Sequence, residues 1–357
     1  MNSANLGRTI VRMPSWLGDC VMAEPALRAL HESFGAHAER LSIAAPERWL
    51  ALFDGRFPKS KRIALTAREP EEPALYRGHD TALFLNGSWR SVWCAWRAGV
   101  ARRIGFASGG RELLLTDAVT PARERGGIPL GLGVSARWPR PLARPFGQTC
   151  AELVAWSGIP VRDRVPRLVV SMSARARANE RLAHAGLAAG APFVLVNAGG
   201  RARSAKAFPP QSLARALDEL AVARDFAIVI ACAPNEEESA RACASACAQA
   251  KPLVLDAPPV ELAELVALCA AARLFLTADS GPRHLAHAFG VPSVVIAGPT
   301  DPRHTAEYTS PVRIVRVTVP CGPCHREVCP LAGDAEHVCM RSIDAADVSR
   351  AAVELLG

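Results

Sequence analysis

Short runs of aliphatic and β-branched residues alternate with stretches of helical period along most of the chain. In the first half, Thr9–Met13 reads as a strand and Val21–Phe34 as a helix. Leu41–Ala45 is the next strand, followed by a helix near Glu47–Phe53. Thr81–Leu85 reads as a buried strand and Ser91–Gly99 as the helix after it. Residues 120–147 are rich in Pro, Gly and Arg and carry no period, which predicts a long loop. Cys150–Gly158 resumes as helix. Pro160–Val170, with two prolines and several charges, reads as a crossing into a second unit, and Ser173–Ala188 as helix. From the strand Phe193–Asn197 the alternation restarts: helix 210–223, strand 226–231, helix 236–249, strand 252–255, helix 259–271, strand 273–278, helix 282–289 and strand 292–296. Strands alternating with helices in this way predict parallel α/β sheets.

A chain of 357 residues exceeds what one compact core usually takes. The expectation is two domains, 1–170 and 171–357, with the final helix able to pack back on the first. No apolar run reaches the roughly 20 residues of a membrane span. The N-terminal stretch lacks the basic start and long apolar run of a secretion signal, so the expected location is the cytoplasm.

Net charge is +8, from 42 basic and 34 acidic residues, yet only Lys59, Lys61, Lys206 and Lys251 are lysines. A solvated arginine surface accounts for this, and so does attraction to an acidic partner such as a phosphorylated glycan or an anionic membrane face. Nucleic acid is not an expected partner. The chain has no C2H2 finger, no aromatic RNA-binding signature and no dense basic helix.

Four stretches carry candidate chemistry. Pro14-Ser15-Trp16-Leu17-Gly18-Asp19 joins the first strand to the first helix, where ligands of open α/β sheets collect. Asp19 reads there either as a helix N-cap or as a functional carboxylate. Asn197-Ala198-Gly199-Gly200, then Arg201, Arg203, Ser204 and Lys206, follows a strand of the second unit. Its glycines permit close approach, and Ser204 and Lys206 suit phosphate oxygens. Asp279-Ser280-Gly281-Pro282-Arg283-His284 follows another strand, with Pro282 placed as the first residue of a helix whose N–H groups suit an anion. His284 reads as a core or capping histidine or as a ligand. Asn235-Glu236-Glu237-Glu238 reads as a capping pair of Asn235 with Glu238, or as an acid for ribose hydroxyls. Neither the G-x-G-x-x-G fingerprint of a dinucleotide fold nor a P-loop is present.

Together these residues resemble glycosyltransferase family 9, the bacterial ADP-heptose:lipopolysaccharide heptosyltransferases. The resemblance covers nearly the whole chain. It rests on the Gly18-Asp19 turn, the glycine turn reaching Lys206, the Asp279-Ser280-Gly281-x-x-His284 segment, Gly298-Pro299-Thr300 and the C-terminal cysteines. It implies a GT-B fold of two Rossmann-like domains with the active site in the cleft between them. The implied reaction is heptose transfer from ADP-heptose to the lipopolysaccharide inner core, with inversion and no required metal. Asp19 would be the general base and Lys206, with Ser204, would stabilise the leaving diphosphate. Ser280 and Gly281 would cradle the same phosphates, Asp279 would contact the donor sugar or order its loop, and Glu236 would take the ribose. Arg90, Arg103 and Arg111 fall in the stretch that faces the acceptor, an anionic glycolipid met at the inner membrane face. Trp89, Trp93 and Trp96, at helical spacing, read as core. A relative using another nucleotide sugar or surface glycan, or a non-catalytic nucleotide-sugar-binding protein, is the alternative.

Eleven cysteines divide into seven scattered ones, several on apolar helix faces, and a cluster, Cys321-x2-Cys324-x4-Cys329-x9-Cys339. The cluster resembles the spacing of a structural zinc or iron–sulfur site, and packed, unmetallated thiols are the reading set ahead of it.

Overall fold

The computed structural model describes residues 6–66, 73–124, 140–197, 204–305 and 310–357. They form two units, the first reaching Val169 and the second beginning at Val170.

The first unit strings β1 (Thr9–Arg12), α1 (Leu17–Met22), α2 (Glu24–Phe34), β2 (Leu41–Pro46), β3 (Lys61–Leu65), β4 (Thr81–Phe84), α3 (Trp89–Arg97), β5 (Arg102–Phe106) and β6 (Asp117–Val119) into one parallel sheet with its helices. The sheet order is β3-β2-β1-β4-β5-β6. A short antiparallel pair, β7 (Arg123–Glu124) with β8 (Arg140–Pro141), falls within the stretch expected to be loop, most of which lies outside the described residues. α4 (Phe146–Trp156) then packs on α2.

The second unit runs α5 (Met172–His184), β9 (Phe193–Asn197), α6 (Pro210–Ala223), β10 (Ala227–Ala231), α7 (Glu237–Ala246), β11 (Leu253–Leu255), α8 (Leu262–Ala271), β12 (Leu274–Ala278), α9 (Arg283–Ala288), β13 (Ser293–Ile296), β14 (Val312–Val315), α10 (Val338–Arg341) and α11 (Ala345–Leu356). Its order, β11-β10-β9-β12-β13-β14, repeats that of the first sheet, and every pairing is parallel. The central strands are apolar runs buried throughout, as parallel strands covered on both faces must be. In both sheets the first and fourth strands lie side by side. The order reverses there, and the loops leaving the two strands meet. The final helix lies on α6 and on β13 and β14, with Val348 and Ala352 in the second unit's core.

Several expected elements differ. Val21–Phe34 is two helices rather than one, because the ring of Pro25 cannot follow the carbonyl of residue 21 in a continuous helix. Glu47–Phe53 is a 3-10 turn. β3 was not legible because it is an edge strand, largely exposed and charged. Of the scattered cysteines, Cys20, Cys94, Cys150, Cys232, Cys243 and Cys269 are buried, as small apolar residues would be.

Asp218 ties α6 to the chain beyond α7. Its carboxylate accepts the backbone N–H groups of Ala248, Gln249 and Ala250 at 2.8, 2.8 and 2.7 Å. Burial raises its pKa, and the three N–H bonds together outweigh that and hold it below the ordinary carboxylate value. A lowered carboxyl contributes stability above the unfolded pKa and loses it as pH falls through the folded one. Asp218→Ala should therefore lower the Tm by roughly 2–8 °C at neutral pH. The difference from wild type should shrink in melts at a pH below the carboxylate range.

Candidate functional site

In the second sheet β9 and β12 are neighbours, so the loop after Asn197 and the loop after Ala278 leave the sheet together. Residues 198–203, with the glycine pair, Arg201 and Arg203, lie outside the described residues. From Ser204 onward the geometry is defined. The Ser204 hydroxyl accepts the Lys206 N–H at 3.2 Å, and the Lys206 ammonium donates to the backbone carbonyl of Asp279 at 2.8 Å. Two candidates 73 residues apart in sequence thus share one bond.

Asp279 is 5% exposed. One carboxylate oxygen pairs with Arg283 and the other accepts the hydroxyl of Thr300, from the turn after β13. Burial alone would raise its pKa. Arg283, the Thr300 bond and Lys206 together outweigh burial and hold the carboxyl below its ordinary value. Of the two roles implied for Asp279, ordering the loop is the one this geometry serves. Arg283, 1% exposed, was passed over in the sequence. Its signal was the spacing of four from an aspartate that closes a strand.

His284 is buried beneath the loop. Burial first, and Arg283 next, push its pKa well below that of a free imidazole, so it is neutral and has no charge to offer a phosphate. The helix expected from Pro282 begins at Arg283 and spans six residues. Ser280–Pro282 form a turn, in which the N–H of Arg283 bonds Ser280 at 3.3 Å and that of His284 bonds Gly281 at 3.2 Å. The open row of helix N–H groups foreseen there is partly spent within the turn.

Glu236 sits beyond β10, the strand beside β9. Its carboxylate accepts the Asn197 side-chain amide at 3.2 Å and the Ala233 N–H at 3.1 Å. The expected cap of Asn235 with Glu238 does not form. Asn235 takes a left-handed backbone, φ 74°, and Glu236 occupies the N-cap position without a side-chain cap bond.

The C-terminal cysteine segment is bonded to both sides of this site. Glu327 accepts the Ala205 N–H at 2.8 Å, next to Lys206, and the His325 N–H donates to Pro299 at 2.8 Å, next to Thr300. A side chain at Gly298 would overlap the sulfurs of Met340 and Cys339. The Cys339 thiol is pushed up to about 11 by burial and by Cys321, Cys324 and Cys329. The Cys329 sulfur accepts the His337 N–H at 3.3 Å. Among the described residues no three or more His, Cys, Asp or Glu are arranged to hold a metal ion.

In the first unit, Asp19 is the third residue of α1 and partly buried. Trp16 holds the N-cap position with no side-chain cap bond, so Asp19 is not the N-cap residue. The loop before it is anchored by the Trp49 indole N–H on the Ser15 carbonyl at 3.0 Å. Beneath it Cys20 is buried, its thiol pushed up to about 12 by burial and by the Asp19 charge.

Of the arginines expected at the acceptor, two are occupied elsewhere. Arg111 is buried and donates to the carbonyls of Asn86 at 2.7 Å and Phe106 at 2.8 Å. Arg103 donates to the Leu114 carbonyl at 2.6 Å and to that of Val100. Both hold the loops around β5 and do not stand free as acceptor ligands. Arg90 is exposed on α3. The tryptophans also depart from expectation: Trp89 and Trp96 are about half exposed, at 48% and 49%. Ser91, Val92, Cys94 and Ala95 form the buried face of α3, where the sheet admits small side chains.

Comparison with known proteins bears on the family and the fold. The model of glycosyltransferase family 9 (heptosyltransferase) matches residues 74–334. A lipooligosaccharide heptosyltransferase 2 from Haemophilus ducreyi is 24% identical over 337 residues, covering 85% of this chain and 87% of the relative. One from Campylobacter jejuni is 34% identical over 96 residues, which span only 27% of this chain and 28% of that relative. The solved structure of an E. coli ADP-heptose LPS heptosyltransferase II superposes with a TM-score of 0.70 at 21% identity, covering 98% of each chain. Among the described residues no helix is long and apolar enough to cross a membrane. The two repeated parallel sheets are those of the GT-B heptosyltransferases, and the chain belongs to glycosyltransferase family 9, the heptosyltransferase family.

Proposed function

We propose that the protein transfers heptose from ADP-heptose to an inner-core acceptor of lipopolysaccharide, with inversion. The observation that carries this reading is the Lys206 ammonium bonded to the Asp279 carbonyl at the β9–β12 switch point. A phosphate-seeking cation is there held beside a turn rich in small residues, at the edge of a sheet of nucleotide-binding type. The similar E. coli structure is that of an ADP-heptose LPS heptosyltransferase II, which supports ADP-heptose as the donor.

In this reading the acceptor hydroxyl oxygen attacks the anomeric carbon and Asp19 takes its proton. The bond from that carbon to the diphosphate oxygen breaks, and ADP leaves with the electron pair. Lys206, with Ser204, Ser280 and Gly281, meets the charge that develops on the diphosphate, so the cation needed for departure comes from the chain and not from a metal. Glu236, already paired with Asn197, takes the ribose hydroxyls. Arg90 is the arginine left for an anionic acceptor. The net charge of +8 favours a working position at the anionic inner face of the membrane.

Two measurements test the reading. Asp19→Asn should lower kcat about 10²–10⁴-fold while leaving ADP affinity within about twofold of wild type. A variant that keeps most of its turnover removes Asp19 from the role of base. In a thermal-shift panel of nucleotide sugars, ADP-heptose should raise the Tm and UDP-sugars should not. A UDP-sugar that stabilises the protein as well would replace the donor assignment.

A further inference from the structure

The Asp-Ser-Gly-x-x-His segment leaves two positions open, and in this chain the second is an arginine, buried and paired with the aspartate of the same segment. We propose that Arg283 is a positioning residue of the donor site: it occupies the Asp279 carboxylate so that this carboxylate does not compete with the donor's diphosphate for Lys206. The inference rests on the reading above of the Lys206 loop as the diphosphate site.

The argument is one of charge and geometry. Three charged side chains meet at this turn: Asp279, Arg283 and Lys206. His284, which also faces Asp279, is neutral for the reasons already given. With Arg283 present the three charges sum to one positive, which suits an incoming diphosphate. Without it they sum to zero, and the negative member is a buried carboxylate with one oxygen unpaired.

A buried anion in that state draws the nearest cation, and Lys206 already lies on the same residue's carbonyl. Arg283 and Thr300 take one carboxylate oxygen each, from different elements, so the Asp279 side chain is held on both sides. Lys206 therefore rests on a neutral carbonyl, a partner that phosphate oxygens displace readily, and not on a carboxylate. A further bond from Arg283 to the Thr305 carbonyl, 3.5 Å, ties the guanidinium to the chain beyond β13.

The test uses the full-length protein with ADP and adenosine as probes, affinities measured by calorimetry. Arg283→Met should weaken ADP binding by about tenfold or more while adenosine, which has no phosphate, stays within about twofold. The double variant D279N/R283M restores the sum of one positive charge, and its ADP affinity should return to within about threefold of wild type. Several results would overturn the inference. One is an R283M protein that binds ADP as wild type does. Another is equal loss of ADP and adenosine, which marks a collapsed loop. A third is a double variant that stays about tenfold weak or more. If R283M does not fold, the double variant against wild type decides by the same threefold and tenfold limits. Wild-type protein that binds neither probe defeats the underlying donor-site reading, and this inference with it, and so is distinguishable from failure of the Arg283 role alone.

Discussion

The turns at the edge of the second sheet depend on a buried carboxylate that cannot be left unpaired. Asp279 lies at the end of a central strand, almost without exposure. An ion in that position costs more in lost hydration than any single surface contact returns, unless its lone pairs are matched. The matching partners come from two places, Arg283 four residues on and Thr300 after the next strand, while Lys206 bonds the backbone carbonyl of the same residue. The bonds of this one residue therefore fix Lys206, the turn after β12 and Thr300 in relation to each other. Because the carboxyl is held below its ordinary value, it contributes stability above the unfolded carboxyl's range and loses it as pH falls through the folded value.

The same economy governs many of the arginines. Arg111 and Arg103 hold backbone carbonyls. Arg28 and Arg56 surround the fully buried Glu24, whose other oxygen accepts the Arg167 N–H. Arg181 holds the buried Glu264 at 3.0 Å and ties α5 to α8. A guanidinium carries five donors in a fixed plane and bonds several acceptors at once, which suits it to these junctions. Part of the basic excess is thus internal bracing, and the charge that meets a partner is smaller than the composition suggests.

The cysteine segment is a brace of another kind. Its backbone bonds the residues beside Lys206 and Thr300, and its Cys339 and Met340 close on Gly298. The absence of a side chain at Gly298 is what lets the segment sit so near the turn that carries Thr300.

The alternation of apolar strands and amphipathic helices was enough to foresee parallel sheets, because buried strands and helix faces impose periods that sequence displays directly. Asp19, Lys206 and Asp279 were legible as candidates because each follows a strand, at the edge where such sheets bind ligands. Other features were not legible. β3 is charged because it is an edge. Trp89 and Trp96 have helical spacing, but the small residues beside them face the sheet. Arg111 looks like any surface arginine until the carbonyls of Asn86 and Phe106 converge on it. Above all, the sequence places Lys206, Asp279 and Thr300 far apart and says nothing of who bonds whom. Local period and turn chemistry are properties of neighbouring residues, so the chain alone determines them. The partner of a buried charge is set by strand order and by which loops the sheet brings together, and only the tertiary structure decides that.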